Sequence, residues 1–262
     1  MIFIDTHTHL YLKDFDDDLN QVVEKAISKG VKYMLLPNID STSTEGMLKI
    51  CRDFPDNCLP MIGLHPTSVK SNYKEELSLV EKYLSKENFC AIGEIGIDLY
   101  WDKTFYEEQV EAMKFQINLA KEYNLTIVIH SRNSYDEVFK VLYESKFPEM
   151  RGVFHCFSGS VDQAKKVINE LGFQLGIGGV VTFKNSGLDK VVKEVDLKNI
   201  VLETDSPFLA PMPFRGKRNE SAYTILIAEK IASIKNITIE EVSETTTKTA
   251  IELFKMKLEI GN

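Results

Sequence analysis

At 262 residues the chain is long enough to bury a sizeable core, as one large domain or two small ones. Its 31 basic and 39 acidic side chains leave a formal net charge of −8, which excludes a surface that grips nucleic acid by bulk electrostatics but leaves room for a local positive site. With 44% hydrophobic and 27% charged residues, it has the composition of an ordinary globular protein rather than a disordered or fibrous one.

The first predicted element is a buried strand over Met1–Ile4, followed by Asp5, Thr6, His7, Thr8 and His9. Further apolar, β-branched runs lie at Tyr33–Leu36, Pro60–Leu64, Cys90–Ile92, Thr126–Ile129, Val153–Phe154, Phe173–Ile177 and Ile200–Leu202. Segments of helical period separate them. Val110, Met113, Ile117 and Ala120 make one stripe, and Ala164, Val167, Ile168 and Leu171 another. Eight strands, each followed by a helix, imply a parallel sheet and, at this length, an α/β (β/α)8 barrel spanning residues 1–262 as a single domain. An open doubly wound sheet is the alternative, but no G-x-G-x-x-G follows the first strand.

The five histidines are His7, His9, His65, His130 and His155, and each follows one of these strands. In a parallel barrel the carboxyl ends of the strands share one face, where active sites are built. His7 and His9, two apart, point together and suit a divalent metal. Two acids share that face: Glu94 in AIGEIGID, between Gly93 and Gly96, which leave room for something to approach, and Asp205 in VLETDSP. Asp98 reads as the start of the next turn, with a supporting role at the site as the alternative. Four histidines and two carboxylates exceed one tetrahedral zinc, but a bridging carboxylate lets them hold two ions at about 3.5–4 Å separation. The expected arrangement puts His7, His9, Glu94 and Asp205 on one ion, and Glu94, His130 and His155 on the other. With a hydroxide between the ions the centre keeps a charge of about +1, a positive site on an acidic protein.

The motifs IDTHTHL, IGLHP, AIGEIGID, IHSR, FHCFSGS, LETDSPFLAP and RGKRNE, in this order along nearly the whole chain, resemble the TatD family of metal-dependent deoxyribonucleases among the amidohydrolase-like barrels. The resemblance implies the barrel, two divalent cations (zinc, manganese or magnesium), the ligand positions above and hydrolysis of DNA. Related phosphotriesterase-like barrels bridge their metals with a modified lysine, whereas strand four here ends in Glu94. The chain departs from the family pattern at Asn219-Glu220-Ser221, where N-E-P is usual, and at Thr247-Lys248-Thr249, where T-x-N is usual. Neither departure touches an expected ligand, so they bear on loop shape and substrate detail.

In the expected mechanism a metal-bridging hydroxide attacks phosphorus, Glu94 bridges the ions, and Asp205 accepts or orients the nucleophile's proton. His65 is given no metal; it is expected to contact the scissile phosphate or to support the ligands from behind, and Arg132 to contact substrate. Arg215 and Lys217, in a loop whose Gly216 allows close backbone approach, are expected to hold DNA phosphates, since the last strand loops often bind phosphate in this fold. Tyr100, Trp101, Phe157 and Phe208 are candidates to stack on bases. The same centre suits a small ester, lactone or amide, and a non-catalytic metal-stabilised binding protein is the remote alternative. Cys51, Cys58, Cys90 and Cys156 form no C-x-x-C pair and read as free thiols. With no leader-like segment and no stretch approaching the roughly 20 apolar residues of a membrane span, the expectation is a cytoplasmic enzyme with DNA as partner, no membrane association and no obligate protein partner.

Overall fold

Strand pairing follows chain order in the computed structural model, which describes residues 1–256. The strands are β1 (Phe3–Asp5), β2 (Val31–Leu36), β3 (Cys58–Ile62), β4 (Ala91–Asp98), β5 (Thr126–Arg132), β6 (Gly152–Phe154), β7 (Gln174–Ile177) and β8 (Ile200–Leu202). All neighbours run parallel. Thr6 N–H donates to Leu202 O at 2.9 Å and His9 N–H to Ser206 O at 2.8 Å, bringing β8 round to β1. The result is a nearly closed (β/α)8 barrel, and all eight expected strands are present.

Their limits differ at both ends of the expected runs. Met1 and Ile2 are exposed, and the first strand is Phe3–Asp5. The fourth strand continues well past Ile92, because β4 and β5 stay paired through Gly96–His130 and Asp98–Arg132. Glu94 and His130 therefore project from strands, whose backbones hold them more firmly than loops would.

The helices α1 (Leu19–Ser28), α2 (Ser41–Asp53), α3 (Tyr73–Leu84), α4 (Tyr106–Glu122), α5 (Tyr135–Glu144), α6 (Val161–Lys166), α7 (Leu188–Glu194) and α8 (Thr224–Lys235) each follow a strand, and α9 (Ile239–Phe254) comes last. Met113, Ile117 and Ala120 of the expected α4 stripe are buried against the barrel. The same face carries two buried glutamines that serve the strand ends. Gln116 Oε1 accepts from Leu64 N–H at 2.6 Å, beside His65, and Gln109 Oε1 accepts from Asp98 N–H at 2.9 Å. Each satisfies a buried amide that no sheet neighbour reaches.

Inside the barrel, Ile4, Leu35, Met61, Ala91, Val128, Val153 and Val201 form one apolar cluster with Ala250, Leu253 and Phe254 of α9. Leu253 O accepts from Thr126 Oγ1 at 2.5 Å, at the first residue of β5, so α9 closes the amino-terminal end of the barrel. Truncating a buried phenylalanine removes its burial and leaves a cavity. Phe254→Ala is expected to cost about 3–5 kcal/mol, read by denaturant unfolding.

A candidate metal centre at the carboxyl ends of the strands

Beyond β1 the chain makes one further pairing, Thr8 with Ser206, and this keeps His7 and His9 on the same side. Their ring centroids lie 5.1 Å apart. Asp205 arrives from the other side of the same junction, its N–H on His7 O at 2.9 Å and its φ at +60°, a left-handed geometry that aspartate tolerates better than most residues. Its Oδ1 is 3.4 Å from His9 Nε2 and 3.7 Å from His155 Nε2. Glu94, buried on β4, lies between two groups of histidines. Its Oε2 is 3.1 Å from His7 Nε2, while its Oε1 is 2.8 Å from His130 Nδ1, 3.5 Å from His65 Nε2 and 3.6 Å from His155 Nε2. All six expected ligands thus converge, and His65 joins them.

An outer ring of groups fixes how the imidazoles present themselves. Tyr11 Oη donates to Pro37 O at 2.6 Å and so accepts from His9 Nδ1 at 2.7 Å, leaving the His9 Nε2 lone pair toward the centre. Glu203 Oε1 lies 3.1 Å from His155 Nδ1 and pairs with that ring electrostatically, although this nitrogen, like those of His7, makes no hydrogen bond. His65 is built the opposite way. Its Nδ1 accepts from Thr67 N–H at 3.1 Å, which puts the proton of the neutral ring on Nε2, facing Glu94 as a donor. The structure corrects the reading of Asp98: one oxygen does cap the turn, accepting from Tyr100 N–H at 2.9 Å, but the other holds His130 Nε2 at 2.9 Å.

Sequence reasoning assigned no role to Tyr11 or Glu203. The signal for Glu203 was its place two residues beyond Val201, an inward-facing β8 residue, and two before Asp205. The structure makes room for this carboxylate at Gly176, where a Cβ would sit 2.3 Å from Glu203 Oε2. Gly93 and Gly96 also serve a purpose other than the expected one. Added Cβ atoms would lie 2.6 Å from the Val128 side chain and 1.9 Å from His130 O, so these glycines admit strand β5 rather than a ligand.

The electrostatics call for cations. Burial would raise the Glu94 carboxyl, but His155, His65 and His7 outweigh it and hold it well below the usual carboxylate range. Burial likewise opposes charge on His155, yet Glu203, Glu94 and Asp205 push it up to about 10. Burial and neighbouring His155 push His7 down to about 4. Among the described residues no lysine or arginine pairs with Glu94, Glu203, Asp98 or Asp205; only histidines do. Both ring nitrogens of the fully buried His7 lack a hydrogen-bond partner, a costly state that a metal ion relieves. The donor set of imidazole nitrogens and carboxylate oxygens fits zinc or manganese.

Residues 4–255 match the family described as TatD related DNase. The chain belongs to the TatD family. It is 38% identical over 257 residues to the uncharacterized metal-dependent hydrolase YabD of Bacillus subtilis strain 168, covering 98% of this chain and 100% of that one. It is 32% identical to the uncharacterized metal-dependent hydrolase YcfH of Escherichia coli strain K12, covering 97% and 96%. Among solved structures, the TatD homologue YjjV of Escherichia coli K12 superposes with a TM-score of 0.91 at 27% identity, over 97% of this chain and 98% of that one. This TatD-family chain is accordingly a metal-dependent hydrolase.

A cavity of about 660 Å³ opens over the cluster, lined by residues of the cluster together with Trp101, Arg132, Ser158, Val180, Phe208 and Leu209. Arg132, expected to contact substrate, lies on the wall of this cavity. Arg215 and Lys217 are not on the cavity wall. Arg215 stacks over Phe183 at 4.5 Å, and the third cation of that loop, Arg218, is held by Asp18 at 2.6 and 2.8 Å. Gly216 is exposed with nothing near its absent Cβ, so its role is the left-handed turn at φ +84° rather than close approach to a ligand. Phe157, 1% exposed and packed against Tyr135, is a core residue and cannot stack on a base. The segment that holds the departure reaches the site after all: Asn219, where the chain keeps the family's asparagine, donates from Nδ2 to Thr204 O and Phe208 O, both at 2.7 Å, clamping the turn that carries Asp205, and the departing Ser221 lies with its Oγ 3.3 Å from Thr8 Oγ1, between His7 and His9. All four cysteines are free. Among the described residues no helix is long and apolar enough to cross a membrane.

Losing an outer partner of a metal-ligating histidine costs about 10–100-fold in metal affinity. Tyr11→Phe is therefore expected to weaken metal binding by that factor in a chelator-competition titration, with the far-UV circular dichroism unchanged.

Proposed function

We propose that this TatD-family hydrolase cleaves DNA phosphodiester bonds at a centre holding two divalent cations. One observation carries the reading: the two oxygens of Glu94 face different histidines, Oε2 toward His7 and Oε1 toward His130 and His155, the disposition of a bridging carboxylate. His7, His9 and Asp205 would hold one ion with Glu94, and His130 and His155 the other. When bound, such a pair polarises a phosphoryl oxygen and acidifies water. The family description as a DNase supports phosphodiesters as the electrophile.

The chain's own groups have separable tasks in this reading. Asp205, at the mouth of the cluster and held below the usual carboxylate range by His155 and His9 against the effect of burial, takes the proton of the attacking water. With cations bound at Glu94, the His65 Nε2–H that faces this carboxylate would be free to donate to a non-bridging phosphate oxygen. Tyr11, Glu203 and Asp98 keep the three imidazoles aimed. A cavity of about 660 Å³ falls in the size range of compact ligand pockets. It suits a chain end or unpaired stretch rather than a duplex laid across the barrel.

The test is turnover of metal-defined protein on end-labelled single- and double-stranded DNA, beside a panel of small esters, lactones and amides. DNA cleavage with about two ions per chain by elemental analysis is the expected result. Glu94→Ala and Asp205→Ala are each expected to lower it by at least about 100-fold. Intact DNA alongside rapid hydrolysis of a lactone or ester would move the assignment to a small-molecule hydrolase.

A further inference from the structure

The strongest unassigned feature is the corner formed by Tyr100, Trp101 and Arg132 at the rim of the metal cavity. Tyr100 and Trp101 are 52% and 70% exposed, and their rings meet edge to face at 4.8 Å and 89°. The Arg132 guanidinium lies 3.8 Å from the Tyr100 ring centroid and 5.3 Å from that of Trp101. It is exposed and lines the cavity. Among the described residues its N–H groups have no carboxylate or carbonyl acceptor, and it is the one lysine or arginine on the cavity wall. A guanidinium stacked on aromatic faces while its N–H edge stays free is pre-organised to bind an oxyanion.

The corner is tied to the metal centre. Asp98 Oδ1 accepts from Tyr100 N–H at 2.9 Å and Trp101 N–H at 3.3 Å, and its Oδ2 contacts His130 Nε2. Asp98 also pairs with Arg132 in the β4–β5 register, and Leu99 N–H donates to Arg132 O at 2.9 Å. The distance from rim to centre is thus fixed by strand backbone and one carboxylate.

Charge makes the need for this arginine plain. Glu203 and Asp98 join Glu94 and Asp205 at the cluster, and these four carboxylates neutralise two divalent ions in full. The positive balance expected from the sequence alone disappears, and a hydroxide between the ions would make the centre net negative. A polyanion then needs a further cation beside the metals, and Arg132 is the group placed to supply it.

We propose that Arg132, backed by Tyr100 and Trp101, binds the phosphate next to the scissile one, with the exposed Trp101 ring stacking on the adjoining base. The inference rests on the nuclease reading and specifies its substrate as one carrying a second phosphodiester. The test compares TpT, which has a single phosphate, with TpTpT, which has a neighbouring one. Wild-type holoenzyme is expected to favour TpTpT in kcat/KM, chiefly through KM. Arg132→Met is expected to reduce that preference about tenfold, the worth of one charge-assisted hydrogen bond, and Arg132→Lys to restore only part of it.

Trp101 is the single tryptophan of the chain, so its fluorescence reports occupancy independently of turnover. Thymidine 5′-monophosphate is expected to quench it, about tenfold more weakly bound in Arg132→Met. An unchanged TpTpT preference together with unchanged quenching in Arg132→Met would overturn the proposal. If neither oligonucleotide is cleaved while bis(p-nitrophenyl) phosphate is, the nuclease reading fails, and the quenching titration still decides whether Arg132 binds phosphate.

Discussion

The structure depends on one buried carboxylate. Glu94 is nearly inaccessible to solvent, yet it is surrounded by four histidines and by no lysine or arginine among the described residues. An isolated ionised carboxylate in such a place is prohibitive, so the site persists only because cationic partners can be supplied. A proton on His155 is one such partner, since that ring gains its high proton affinity from Glu203, Glu94 and Asp205. A divalent ion is a better one, because it satisfies several donors at once and relieves the unpartnered ring of His7.

The remaining architecture delivers those donors without distortion. Strands β4 and β5 stay paired beyond Glu94, and glycines at 93 and 96 let β5 approach where a side chain would collide. Gly176 does the same for the Glu203 carboxylate. On the far side of the barrel mouth, Asp5 accepts from Thr204 Oγ1 at 2.6 Å and from Thr204 N–H at 2.9 Å, locking the start of the chain to the turn before Asp205. Burial pushes the Asp5 carboxyl up to about 7 against these hydrogen bonds. Asn219 completes that turn from the loop beyond. Two parts of the cluster far apart in sequence are thereby held to one another by hydrogen bonds.

The rim has its own logic. In the loop after β8, Arg218 is paired with Asp18 and Arg215 lies over the face of Phe183, and none of the loop's three cations reaches the cavity wall. Arg132 also stacks on an aromatic ring, that of Tyr100, but it has no carboxylate partner among the described residues and lines the cavity over the site. Whether a cation acts on substrate is a matter of which neighbours have already claimed it, and charge density along the chain does not report that.

The sequence by itself determined the eight-strand order and the barrel, and it singled out six residues that the structure brings together in one cluster. Each of these is encoded locally: apolar runs of strand length, helical stripes between them, and every histidine set at a strand end. It also carried the family, because the motifs from IDTHTHL to RGKRNE stand in order. The tertiary structure decided what depends on contacts between distant segments. Pro37 O takes the Tyr11 hydroxyl proton and so makes Tyr11 an acceptor for His9, Glu203 meets His155 across the barrel, and Asp98 has an oxygen to spare for His130 once it has capped its turn. It also sent Phe157 into the core and left Arg132 free. Those outcomes follow from packing and from competition for hydrogen-bond and charge partners, which no single stretch of chain specifies.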